Sequence, residues 1–236
     1  MAHRKNSADN LILRALTAED RRQLAPSLTQ VELPIRAALV EPYRTLEYVY
    51  FPHESIVSLV TVMSDGTSIA VANVGNEGLV GCGGLLQAET IPYRAVVKVP
   101  GLASRIAIKK LKEVFDERAA VRRELLRYLH SLMAQLAQSA VCGRFHSLEQ
   151  RIARCLLSSR DRIHKTSFPY TQEFVAQMLG ADRSSVTLAA GALKRAGFIE
   201  YKRGNITILD SGGLDQVVCE CYHLLKQEFK TALPMF

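Results

Sequence analysis

Arg183, Ser184, Ser185 and Thr187 stand close together in the stretch LGADRSSVTLAAGALKRAG, residues 179–197. A guanidinium can give two parallel hydrogen bonds to guanine O6 and N7, and hydroxyls can bond base edges or phosphates. The Thr187 methyl can pack against a thymine methyl. Lys194, Arg195, Lys202 and Arg203 follow, and cations of that kind neutralise phosphates, which fixes register without reading sequence. The chemistry that this set implies is recognition of double-stranded DNA.

Two short helices and a strand pair are needed to position these groups. Thr171 can cap a helix with Glu173 in its first turn. Phe174, Val175, Met178 and Leu179 give that helix one apolar face. Gly180 can take the left-handed conformation that ends a helix. Asp182 then caps a second helix, Arg183 to about Ala196, with Val186, Ala189, Ala190 and Leu193 inward. Two helices at a tight corner make a helix-turn-helix, whose second helix enters the major groove with its first turn leading. GFIEYKRGNITILD reads as strands Phe198 to Tyr201 and Ile206 to Leu209, with a turn at Arg203-Gly204-Asn205, which together form a wing. Thr171 and Gln172, at the start of the first helix, complete the DNA-contacting set. Upstream, a helix from about Leu148 to Arg162 carries Ile152, Cys155, Leu156 and Ser159 on one face, and KTSFPYT reads as a loop. A closing helix is expected from about Gly213 to Ala232.

The 236 residues are 48% hydrophobic and 22% charged, enough for a real core, with a net charge of +7. The pI is about 9.3. A basic excess fits an anionic partner. It is concentrated: Arg183 to Arg203 holds five basic residues against Glu200 alone, and Arg144 to Lys165 holds six against Glu149 and Asp161. No signal peptide is read in MAHRKNSADNLILRAL, and no apolar run reaches the ~18 residues of a membrane span. The expected location is therefore the cytoplasm, with Cys82, Cys142, Cys155, Cys219 and Cys221 as free thiols. Walker loops, Gly-x-Ser-x-Gly elbows, His-Glu-x-x-His helices and framed carboxylate pairs are all absent, so no enzyme is expected.

The first 30 or so residues look helical and loop-like, with Thr17 and Asp20 marking a helix start. From Val31 to about Ile108, EYVYFP, SIVSLVTVM, SIAVANVG, YRAVVKV and SRIAI read as short strands. Asp65-Gly66 signals a hairpin, and a small antiparallel barrel or sandwich follows from this spacing. From Lys109 to about Ala140 helix formers dominate, and Gly143 is a plausible end. Val121, Leu125, Tyr128, Leu132, Gln135 and Ser139 recur in four-three steps, widened by Leu129 and Leu136. Such a stripe can pack on its own domain or on a twin helix. Length favours the twin, since about twenty residues of helix span ~30 Å. The expected dimer interface is thus Val121, Leu125, Tyr128, Leu129, Leu132 and Leu136.

TQEFVAQMLGADRSSVTLAAGALKRAGFIEYKRGNITILD resembles the winged helix of the Crp/Fnr transcription regulators. YVYFPHESIVSLV, DGTSIAVANVGNEGLVG and PGLASRIAI are similar to that family's β-roll, and the Lys110 to Ala140 helix to its dimer helix. The resemblance implies an α+β chain: a β-roll sensor over 1–118, a dimerisation helix over 119–142 and a winged helix-turn-helix over 143–236. It implies a homodimer on a pseudo-palindromic promoter that recruits or blocks RNA polymerase, with no membrane partner. A small-molecule or cyclic-nucleotide module acting through protein contacts is the alternative. Arg183 falls where the family commonly has a guanine-reading arginine. Ser184 stands where many members have glutamate, and Leu188 where the cyclic-AMP receptor has a second arginine.

The family's cyclic-nucleotide turn is Gly-Glu-x-Gly followed by Arg-Ser. The matching stretch is Gly81-Cys82-Gly83-Gly84, followed downstream by Tyr93 and Arg94. Cys82 replaces the ribose-binding glutamate. Tyr93 stands at the phosphate-pairing arginine, and Arg94 lies one residue on, facing the other way. The expectation is a roll that does not bind cyclic AMP in the usual way, with Glu77 in a surface turn. No cysteine precedes Cys82, so no iron–sulfur cluster of the oxygen-sensing relatives is expected. Cys219 and His223 share a helical face while Cys221 points opposite, so no metal site is expected. The lone histidines His53, His130 and His146 read as structural or exposed.

Overall fold

A computed structural model describes residues 10–233. The helix-and-loop expectation for residues 1–9 and the outer ends of the first and last expected domains lie outside the described residues. Two short helices, α1 (Leu11–Ala15) and α2 (Ala18–Leu24), open the described chain. Thr17 caps α2 through the Asp20 amide at 3.1 Å. Asn10 caps α1 and donates to the carbonyls of Pro52 and Gly78, which pins this segment to the strands.

Seven strands follow: β1 (Thr29–Leu33), β2 (Ala38–Val40), β3 (Tyr48–Pro52), β4 (Ile56–Val62), β5 (Ser68–Val74), β6 (Arg94–Val99) and β7 (Gly101–Ala107). They form two antiparallel sheets, β1-β7-β3 and β2-β6-β4-β5, with β4 and β5 joined at the expected Asp65-Gly66 turn. Alternation sorts their side chains. Ala95 and Val97 of β6 point into the roll core, Arg94 is exposed, and Lys98 and Val99 are buried, Val99 against the C-terminal unit. β1 and β2 escaped the sequence reading because Pro34 and the polar residues of TQVELPIRA interrupt any alternation.

Helix α3 (Ile108–Glu117) ends where Arg118 turns extended, and α4 runs from Ala119 to Phe145. The helix passes through Gly143, the expected stop, and is closed at His146 instead. Next come α5 (Leu148–Ile163), started by a Ser147–Gln150 capping box, and β8 (Ser167–Phe168), a two-residue strand where a loop was expected. Then follow α6 (Gln172–Leu179), α7 (Arg183–Arg195), β9 (Ile199–Lys202), β10 (Asn205–Ile208), α8 (Ser211–Val217) and α9 (Glu220–Ala232). The expected single closing helix is broken at Val218, whose extended backbone redirects the chain before Cys219 caps α9.

The expected pairing stripe of α4 is the protomer's own core. Val121, Leu125, Tyr128, Leu129 and Leu132 are buried, none more than 7% exposed, and pack with the β-roll interior. Of the six residues assigned to the dimer interface, only Leu136 reaches the surface. Periodicity shows that a helix has an apolar face but not whose chain covers it. Here the roll and α9 lie on two sides of α4. Tyr128 donates to the Leu79 carbonyl at 3.0 Å, and Gln135 accepts from the Asn73 amide at 2.9 Å. The remaining face of α4 displays Leu126, His130, Met133, Ala137 and Ala140 to solvent.

The C-terminal unit docks on the roll through buried polar contacts. Arg162 of α5 reaches Glu77 at 2.8 Å, with both side chains almost wholly buried. Glu77 also accepts from the Gly75 amide, so it occupies an interior junction and not a surface turn. Lys98 of β6 is buried against the Cys155 sulfur, the Ser159 hydroxyl and the face of Tyr170. That burial lowers the Lys98 ammonium below its usual range.

Candidate nucleic-acid interface

The corner between α6 and α7 is built as the sequence implies. Thr171 Oγ1 accepts from the Phe174 amide at 3.1 Å and caps α6. Gly180 ends that helix in the left-handed region at φ 58°, where a side chain would be strained. Asp182 caps α7 by accepting from the Ser185 amide at 2.8 Å. Val175, Ala176, Met178 and Leu179 of α6 are buried, as are Val186, Ala189, Ala190 and Leu193 of α7. The opposite face of α7 is thereby turned outward.

That face carries Arg183 at the first helical position, then Ser184, Thr187 and Leu188. The hydroxyls are already engaged. Ser184 and Ser185 both donate to the Asp182 carboxylate. These bonds, Ser184's first, hold the Asp182 carboxyl well below the usual range. The hydroxyl hydrogens are therefore committed to the cap, and each oxygen presents lone pairs outward. In this rotamer Ser184 and Ser185 can accept from base amino groups but cannot donate to phosphate.

Thr187 donates to the Arg183 carbonyl at 2.8 Å or to Gln172 Oε1 at 3.0 Å. Gln172 thus ties the start of α6 to the exposed face of α7. Leu188 is 73% exposed among these polar groups, an apolar contact point at the centre of the surface. Lys194 and Arg195 lie at the far end of α7, both exposed.

The wing is a three-stranded antiparallel sheet, β8-β10-β9. Its hairpin turn is the pair Arg203-Gly204, both at positive φ (49° and 79°), and Asn205 belongs to the following strand. Positive φ at both central residues is the signature of the type I′ turn that matches strand twist. It lifts the exposed Lys202 and Arg203 to the wing tip. A Cβ at Gly204 would lie 3.4 Å from the Thr171 methyl, so the wing turn sits beside the start of α6. On β9, Tyr201 donates to the Tyr170 carbonyl at 2.6 Å. Burial raises the Tyr201 phenol, and the nearby Arg183 charge opposes that rise. All ten residues assigned to DNA contact thus lie on α6, α7 or the wing of one unit.

The expected effector turn has a different character. Gly81 adopts φ 94° and leads into a 3-10 turn over Cys82–Leu86. A Cβ at Gly83 would meet Ile91 at 2.5 Å, and one at Gly84 would meet Ile108 at 2.4 Å. Apolar side chains fill the turn. Cys82 lies 3.9 Å from the Tyr93 hydroxyl, and burial raises both groups above their usual ranges. Tyr93 packs against the core, whereas Arg94 faces out and pairs with Glu41 at 2.7 Å. Deeper in, a Cβ at Gly78 would meet the Tyr128 ring at 2.3 Å, so this ring from α4 is pressed against the Gly78 backbone. The six residues of the expected pocket do not converge: Gly83 and Gly84 face apolar side chains, and Arg94 points away to Glu41.

One cluster was missed by the sequence reading. Cys142 and His146 at the end of α4 meet Cys219 and Cys221 at the start of α9. The expectation for Cys219, Cys221 and His223 assumed one continuous helix. The break at Val218 frees Cys219 from helical spacing, and His223 turns instead toward Asp215. The available signal was Cys-x-x-x-His in CGRFH combined with Cys-x-Cys in CEC.

Residues 150–217 match the Crp-like helix-turn-helix domain. No curated protein sequence matches the chain. Among solved structures, FixK2 from Bradyrhizobium japonicum is similar with a TM-score of 0.70 at 15% identity, covering 81% of this chain and 98% of its own. A Crp-family transcriptional regulator from Thermus thermophilus reaches 0.67 at 19% identity, covering 79% and 95%. The c-di-GMP-responsive global regulator CLP of Xanthomonas campestris reaches 0.64 at 14% identity, covering 82% and 100%. Among the described residues, no helix is long and apolar enough to cross a membrane. In its β-roll, its long helix and its Crp-like helix-turn-helix domain, the chain has the fold of the Crp/Fnr transcription regulators.

Proposed function

We propose that this protein is a homodimeric, sequence-specific DNA-binding transcription regulator of the cytoplasm. The observation that carries the reading is the outward face of α7: Arg183, Ser184, Thr187 and Leu188 on a capped helix, flanked by Lys194, Arg195 and the wing cations Lys202 and Arg203. Arg183 reads guanine, and the serine oxygens accept from adenine or cytosine amino groups. Leu188 contacts a thymine methyl, and the flanking cations hold phosphates. Dimerisation uses the solvent face of α4, where Leu126, His130, Met133, Ala137 and Ala140 repeat in four-three steps and the alanines allow close approach. Two α7 helices then enter major grooves about one turn, ~34 Å, apart on a pseudo-palindrome. Bound there, the dimer recruits or blocks RNA polymerase. The packed turn at Gly81–Gly84 supports a roll that does not take cyclic AMP in the usual way.

Selection from a random duplex pool, followed by fluorescence anisotropy over a salt series, tests the reading. Enriched sites should be two-fold related, and affinity should fall steeply with salt, by about 0.9 log units per log salt for each phosphate neutralised. A pool with no enriched sequence, or binding that hardly weakens between low and high salt, would show that the basic face docks something other than DNA.

A further inference from the structure

Four metal-binding side chains converge where α4 ends and α9 begins. Cys142 lies on the last turns of α4, and His146 follows four residues later at the helix cap. Cys219 is the N-cap of α9, makes no side-chain capping bond, and Cys221 is the second residue of that helix. The Sγ atoms of Cys142 and Cys219 are 3.6 Å apart, and Cys221 Sγ is 3.4 Å from His146 Nδ1. All four donor atoms lie within 4.8 Å of one another, with the three cysteines buried.

These separations have a meaning. Metal–sulfur bonds of about 2.3 Å and metal–nitrogen bonds of about 2.0 Å place tetrahedral donors about 3.8 Å apart for S···S and about 3.5 Å for S···N. The observed spacings fit one ion. Sulfurs around a multi-iron cluster would stand further apart.

The surroundings fit as well. His146 Nε2 faces the Glu220 carboxylate at 3.1 Å, the arrangement that fixes a ligating imidazole and leaves Nδ1 free for the ion. Gln138 donates to the Cys221 sulfur at 3.0 Å. Two of the thiols sit at the positive end of α9, which favours thiolate. Three thiolates and a neutral imidazole around a dication leave one negative charge, and Arg151 and Arg154 of α5 offset it.

We propose that Cys142, His146, Cys219 and Cys221 bind one thiophilic divalent cation per chain, zinc by ligand class, in a closed tetrahedral Cys3His site. The coordination is complete without water, so the site is structural rather than catalytic. It fastens the first turn of α9 to the last turn of α4 and so joins the winged unit to the long helix by coordination bonds.

The test uses the full-length chain, purified under reducing conditions without chelator. Elemental analysis should find one zinc per chain. After the metal is stripped, added Co2+ should give the visible ligand-field bands of a tetrahedral thiolate site, and Zn2+ should displace it and raise Tm. Cys142→Ser or Cys219→Ser should abolish the cobalt spectrum. Glu220→Gln, at an exposed position, should keep the fold and weaken metal affinity by about 10–100-fold. Cys155→Ser should leave stoichiometry unchanged. The proposal is overturned by substoichiometric zinc with no tetrahedral cobalt bands, by iron with labile sulfide, or by a Cys142–Cys219 disulfide in protein that no metal protects. A stripped wild-type chain whose Tm ignores Zn2+ overturns it equally.

Discussion

Arg183 opens α7 on a turn that Asp182 holds from beneath. The carboxylate takes up the Ser185 amide and two hydroxyl donors, so the first turn of α7 is held by its own cap. Replacing Arg183 by Ala leaves that cap whole. The expected cost is about 1–3 kcal/mol of binding, with relaxed preference at one base pair and an unchanged salt response elsewhere. A binding-site selection with the mutant that returns the wild-type sequence would remove Arg183 from base reading. Residue identity and local spacing carried this part of the site, because caps, a left-handed glycine and a buried stripe are encoded within a few residues of one another. The Gln172–Thr187 tie and the inward-turned serine hydrogens could not be read in the same way, since they depend on rotamers set by a neighbouring helix.

At the scale of elements, α4 has two apolar faces, and its sequence announces only one. Leu132 and Met133 are adjacent, yet Leu132 is 6% exposed and Met133 68%. Leu132→Ala should therefore destabilise the folded chain by about 2–5 kcal/mol in urea titration. Met133→Glu should spare the protomer and split the proposed dimer, because two like charges would face each other across its two-fold. A Met133→Glu chain that sediments as the wild-type dimer would place the interface elsewhere. The strands around Asp65-Gly66 and the winged helices were legible because each is a local pattern. The break at Val218, the continuation through Gly143 and the partner of each α4 face were not, since distant packing decides them.

At the scale of the molecule, the roll and the winged unit are held together by buried polar groups as well as by apolar contact. Glu77 and Arg162 come from opposite units, and Arg162 also donates to the Ser158 carbonyl at 3.0 Å. Removing one member of such a pair leaves a charge buried alone. Glu77→Ala should cost about 3–5 kcal/mol, whereas replacing both residues by Met should cost markedly less. Equilibrium denaturation of the two variants checks this, and a single mutant no weaker than the double would mean that water already reaches the pair. Nothing in GNEGL foretold a partner 85 positions away.

Tyr128 has a consequence for any small molecule that would signal through the roll. Its ring lies against Gly78 and its hydroxyl is held by the Leu79 carbonyl. In competitive terms, the ring is a rival tethered to the protein, present at a local concentration that dilution cannot lower. A visitor to that space must evict it, forfeit a hydrogen bond worth about 1 kcal/mol and shift the helix that carries it. Any molecule that took that space would therefore have to move α4 as well.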